Sequence, residues 1–115
     1  MAAEVTRLLE DLKRRYTQGD VRGGVLVCLR ILAYYAKLLY GVEWRADETP
    51  REYAEKLVKR ISSADLSGVV EMAEIAESLL YQPRKAGIGA LMREVSILNE
   101  VLEEMLNDVR RRLGC

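Results

Sequence analysis

Two cysteines, eighteen carboxylates and no histidine bound the covalent and acid–base chemistry open to this 115-residue chain. Without histidine it lacks the commonest general base, the commonest metal ligand and the usual partner of a nucleophilic serine or cysteine. Cys28 lies between Val27 and Leu29 in an apolar run, where a thiol is buried and inert, and Cys115 is the final residue. Neither has a second thiol nearby, so no disulfide framework or CxxC metal pattern exists. The acids gather as Glu71, Glu74 and Glu77, and as Glu100, Glu103 and Glu104. Each set reads as a solvated helix face, because no second cluster completes a cation cage. A di-iron bundle would need Glu-x-x-His motifs, which this chain does not contain. The expectation is a protein with no catalytic residues, no resident metal and no cofactor.

Two loop features remain as candidate contacts. Trp44 with Arg45 fits a partner-binding anchor, since Trp and Arg are enriched in interface hot spots. Equally, Trp44 could fold back as a lid over the end of a small core. Arg84, Lys85, Gly87 and Gly89 precede a helix start, where free amides and the dipole could hold a phosphate or carboxylate. The competing account is an ordinary glycine-containing turn, and the GxxxxGK[ST] pattern of a phosphate loop is missing.

The elements that must position these residues are legible in the apolar periodicity. Val5, Leu8, Leu9, Leu12 and Tyr16 define a first amphipathic helix near residues 3 to 17, broken by Gln18-Gly19-Asp20. Asp20 can start a second helix, apolar nearly all round from Val25 to Tyr40, which stops at Gly41. Only Arg30 and Lys37 interrupt that run, and at sixteen residues it falls short of the roughly 20 needed to cross a bilayer. It should be the central rod of a bundle, not a membrane span.

A connector over 42–48 leads to Thr49-Pro50-Arg51-Glu52-Tyr53, a capping box with proline at the first helical position. The third helix presents Tyr53, Leu57 and Ile61, widened by Ala54 and Val58. After the Ser62-Ser63-Ala64-Asp65 break, a fourth helix runs from Leu66 to Leu80 and is closed by Pro83. In the last helix Ile88, Leu91, Val95, Leu98, Leu102, Met105 and Val109 alternate by three and four as a seam of about three heptads. Met92, Leu106 and Leu113 broaden that seam into a bundle-facing surface. Arg110-Arg111-Arg112 then sits where the helix dipole is negative.

Composition narrows the class further. Half the residues are hydrophobic and the 18 basic residues balance the 18 acidic ones, as in a globular chain, and nonspecific affinity for nucleic acid is not implied. Thirteen of the basic residues are Arg, with only two Asn and two Gln, a bias that points weakly to a thermophile. Residues Met1 to Arg7 lack the basic-then-apolar order of a signal peptide, and the cysteine usage fits a reducing, cytoplasmic setting.

The order of these features resembles a known family. Tyr16 to Gly24, a long apolar helix, a connector, Thr49-Pro50-Arg51-Glu52-Tyr53 and then Leu80-Tyr81 before a glycine-containing turn are similar to the C-terminal helical domain of unknown function that accompanies bacterial and archaeal transmembrane transglutaminase-like proteins. Resemblance covers residues 10 to 105, and its specific part is Thr-Pro-x-Glu-Tyr. Members often carry Arg-Tyr where this chain has Leu80-Tyr81. The resemblance implies an accessory module near a membrane protein, and no catalytic residue, because the Cys-His-Asp set of such proteins lies in a separate domain. The chain also resembles small archaeal helical proteins of the nucleotidyltransferase-partner and HEPN type. Their nuclease motif requires a His, so only a noncatalytic relative would fit.

Together these readings predict a single all-α domain over residues 1–115, a five-helix antiparallel bundle with the apolar helix at its centre. The expected function is noncatalytic interaction with a protein partner, including a homodimer, because so much of the second and last helices is apolar. The alternative is a nucleotide- or anion-binding accessory protein using Arg84, Lys85, Gly87 and Gly89.

Overall fold

A computed structural model describes residues 2–81 and 87–114, which form five helices: α1 (Ala2–Thr17), α2 (Val21–Tyr40), α3 (Pro50–Arg60), α4 (Ser67–Tyr81) and α5 (Ile88–Arg112). No strand occurs among the described residues. The chain is an all-α bundle, as its periodicity predicts.

Local chemistry sets where each helix begins and ends. Between α1 and α2 the chain turns at Gly19, whose φ of 71° is a left-handed conformation that costs glycine little. The Asp20 side chain accepts the Gly23 amide at 3.0 Å and caps α2, while the Arg15 guanidinium donates to both Asp11 and Asp20 and ties the two helices together. Gly41, at φ 70°, ends α2 by donating its amide to Ala36 and Lys37 carbonyls. At the start of α3 both arms of the predicted capping box form: Thr49 Oγ1 accepts the Glu52 amide at 3.2 Å and Glu52 Oε1 accepts the Thr49 amide at 2.9 Å.

Directions follow from which residues meet. The tight turn makes α1 and α2 antiparallel, and α3 and α4 form a second hairpin in which Arg51 reaches Glu74 and Glu77. Gly68 abuts Ile97 and Val101 while Glu71 pairs with Arg93, so α4 and α5 are antiparallel too. The central contact differs. Gly24 at the start of α2 lies against Leu91 near the start of α5, and Tyr40 at the end of α2 bonds to Asp108 near the end of α5, so these two helices run parallel. A Cβ on Gly24 would come within 2.7 Å of the Leu91 side chain, which is why the crossing has glycine there.

The core is built on α2, whose Val25, Cys28, Leu29, Leu32 and Ala36 pack among α1, α4 and α5. Leu57, Met72, Leu91 and Met105 complete it from the other helices. Because Val21 to Gly24 join the helix, α2 has 20 residues, enough by length and composition to cross a membrane, so shortness is no argument against a span. Its central place in the fold is the feature that gives its apolar surface an intramolecular use.

The last helix corrects the expected seam. Leu91, Leu98 and Met105 are buried as predicted, but the other inward line passes through Glu94, Val101 and Asp108. The contact face is turned by roughly one residue from the most apolar stripe, and Ile88, Met92, Leu106 and Leu113 stand exposed. Leu9, Tyr16 and Val58, expected on inward faces, are also exposed. Two helices, α2 and α4, must share α5, and their combined direction lies off the axis of the seam.

Candidate functional site

Three places in this bundle hold side chains whose surroundings go beyond packing. The first is the α2/α5 contact. Glu94 is fully buried, with neither carboxylate oxygen hydrogen-bonded. Burial, reinforced by the negative Glu71 on α4, raises its pKa to about 9, so it is an uncharged acid at neutral pH. Cys28 across from it is buried, and burial with the nearby Glu94 pushes its thiol up to about 12. A thiol held this firmly protonated is a poor nucleophile. Glu71 itself is kept below the usual carboxylate range by Arg93, which grips it through two hydrogen bonds of 2.6 and 2.9 Å.

The second place is where the C-terminal ends of α2, α3 and α5 converge. Asp108 is buried and accepts hydrogen bonds from Tyr40 Oη at 2.6 Å and Ser63 Oγ at 2.9 Å. The Tyr40 bond, with Ser63, Arg112 and Arg111 behind it, holds the Asp108 carboxyl below its ordinary pKa, while burial and the same bond push the Tyr40 phenol up. Beside it opens a cleft of about 700 Å³ lined by Tyr40, Arg60, Ser62, Ser63 and Arg112. Near it Arg111 donates to the Ser63 carbonyl at 3.5 Å, just past the end of α3, and Arg112 lies over the Tyr40 ring at the end of α2. Arg110, Arg111 and Arg112 occupy the last turn of α5, and the contacts Arg111 and Arg112 make here are to neighbouring elements.

The third place is a groove of about 530 Å³ between α1 and α5, walled by Leu9, Leu12 and Tyr16 on one side and Met92, Val95 and Asn99 on the other. Leu9 is 52% exposed, Tyr16 43% and Met92 54%, and Leu106, at 44%, continues the α5 side. Large apolar groups side by side in water mark an interaction surface more often than a surface at rest.

The residues singled out by sequence are dispersed. Trp44 stacks on Tyr53 with ring centroids 4.9 Å apart and donates its indole N–H to the Glu48 carbonyl at 2.9 Å, which is the lid geometry. Lys56 braces the same corner, bonding to the Glu43 carbonyl and to Glu48, whose carboxyl it holds low. Arg45 is exposed, with Asp47 at 3.7 Å. Gly87 and Gly89 are exposed at the start of α5, and no side chain caps the helix there. Arg84 and Lys85, like Pro83 and Cys115, lie outside the described residues. Sequence reasoning passed over Glu94, Asp108 and the α1/α5 groove. The signal for the acids was their seven-residue frame with Leu91, Leu98 and Met105, a pattern that apolar scanning discards.

Among the described residues no three Asp, Glu or Cys side chains come together as a cation cage. Compared with protein families, curated proteins and solved structures, the chain matches none.

Proposed function

We propose that this chain is a noncatalytic interaction module that docks through the face formed by α1 and α5. The observation that carries this reading is the groove with Leu9, Tyr16 and Met92 exposed side by side along it. Its chemistry supports recognition over catalysis: the sequence has no histidine, the Cys28 thiol is buried and protonated, and Glu94 has no partner to exchange a proton with. The resemblance to the helical domain accompanying transglutaminase-like membrane proteins supports an accessory role of this kind.

A photo-crosslinking amino acid placed at position 92, compared with one at Glu55 on the outer face of α3, tests the reading in living cells expressing the chain. The expected result is a discrete adduct from position 92 that position 55 does not give. Equal labelling at both positions, or none at 92, would remove the α1/α5 face from the account.

A further inference from the structure

We infer that the partner of this face is a second copy of the chain, packed about a twofold axis that passes beside Asn99. The inference rests on the docking role of the α1/α5 face and adds its occupant and register. Three observations carry it. Along α5, Ile88, Met92, Val95, Asn99, Leu102, Leu106, Val109 and Leu113 alternate by four and three without a break, a heptad stripe whose Val95 and Leu102 rest against the edge of the core while Ile88, Met92, Leu106 and Leu113 are exposed. The bundle's own helices leave that stripe half covered, and a helix carrying the same repeat is its natural complement.

The second observation is the one polar member of the stripe. Asn99 sits in its middle at a heptad position usually filled by an apolar side chain, and its amide offers both a donor and an acceptor. A copy of itself across a twofold axis satisfies both, whereas an apolar partner surface leaves both unmet. A single asparagine placed this way specifies register and pairing mode in helical assemblies.

Charge supplies the third. Lys13 lines the α1 side of the groove whose α5 side runs from Met92 to Asn99, and Glu103 stands exposed one turn beyond Asn99. Neither takes part in a salt bridge among the described residues. A twofold axis beside position 99 carries 103 to the height of 95, so in an antiparallel α5 pair the Glu103 of each copy comes to the groove that Lys13 of the other lines. The surface is self-complementary in shape period, hydrogen bonding and charge, as a closed twofold interface requires.

Light scattering on the purified chain over a range of concentrations, combined with a charge swap, tests this. The parent should reach twice its 13.1 kDa monomer mass. Met92→Glu should return it to monomer with helicity unchanged by circular dichroism. Lys13→Glu and Glu103→Lys should each weaken the dimer by about tenfold, and the double variant should recover it. A monomer at every concentration overturns the inference, as does a dimer indifferent to Met92→Glu or a double variant no tighter than either single one. If the chain is monomeric while position 92 still crosslinks a different protein, self-pairing falls and the docking role stands. If it is monomeric and position 92 crosslinks nothing, both fall.

Discussion

At the scale of single residues the most costly feature is Glu94, a carboxylic acid enclosed with no hydrogen-bond partner. The unfolded chain releases its proton above the ordinary value of 4.5, whereas the folded protein holds it to about pH 9. Folded stability therefore declines as pH rises through that window, by up to ~1.4 kcal/mol per unit, and is free of the penalty below it. Glu71 from α4 is the charged neighbour and adds to the cost of a negative charge there, whereas the Cys28 thiol from α2 stays uncharged across this window. Glu94→Gln should flatten the dependence: chemical denaturation should find the variant more stable than the parent at pH 8 and close to it at pH 4.5. Thr49 is the opposite case, a surface group with a defined job. Thr49→Ala should cost about 1 kcal/mol by loss of the α3 cap, read from the urea midpoint, with the slope unchanged.

At the scale of elements, helix starts and stops and the inward faces of α2, α3 and α4 were legible from sequence, and the full contact face of α5 was not. Gly19, Gly41, Asp20 and the Thr49 box each act within five residues, so their consequences are local and the spacing reveals them. Which side of α5 turns inward depends on the joint placement of α2 and α4, and no window along α5 contains that. Most of the α5 seam was therefore read correctly as core, but Ile88 and the broadening residues Met92, Leu106 and Leu113 face water, and Glu94 and Asp108 went unseen. Gly24 tests the close α2/α5 crossing. Alanine there gains ~1 kcal/mol in helix propensity but loses about 1–3 to the Leu91 side chain, so the variant should be less stable. Paired with Leu91→Ala it should become favourable, because the added methyl then fills vacated space. Thermal melts of the two single variants and the double should show that non-additivity.

Over the whole molecule the fold class, helix order and central place of α2 follow from composition and period, while the candidate site follows only from assembly. The anion-contact residues proposed from sequence shared a short segment, but Arg84 and Lys85 lie outside the described residues, and Gly87 and Gly89 offer only backbone. The groove that stands out joins residues 9 to 16 with residues 92 to 99, a juxtaposition set by two intervening hairpins. The two buried acids also act together. Asp108 has its pKa lowered, so the stability it lends is lost as pH falls through its folded value, and Glu94 erodes stability as pH rises past 4.5. Melting temperature against pH should therefore peak on the acid side of neutrality, and Tyr40→Phe should lower the melt by a few degrees while moving the acid limb upward, since Asp108 loses its shortest bond. A symmetric optimum at pH 8 would contradict this.

The parallel arrangement of α2 and α5 bears on how the chain is made. Translation delivers α2 early, but the helix that covers its inner face is the last to emerge. Until residues near 105 have left the ribosome, the most apolar stretch of the sequence has α1 and, later, α4 as its shelter. During that interval the apolar inner face of α2 lacks its α5 cover, the kind of exposed surface that makes folding intermediates prone to aggregate.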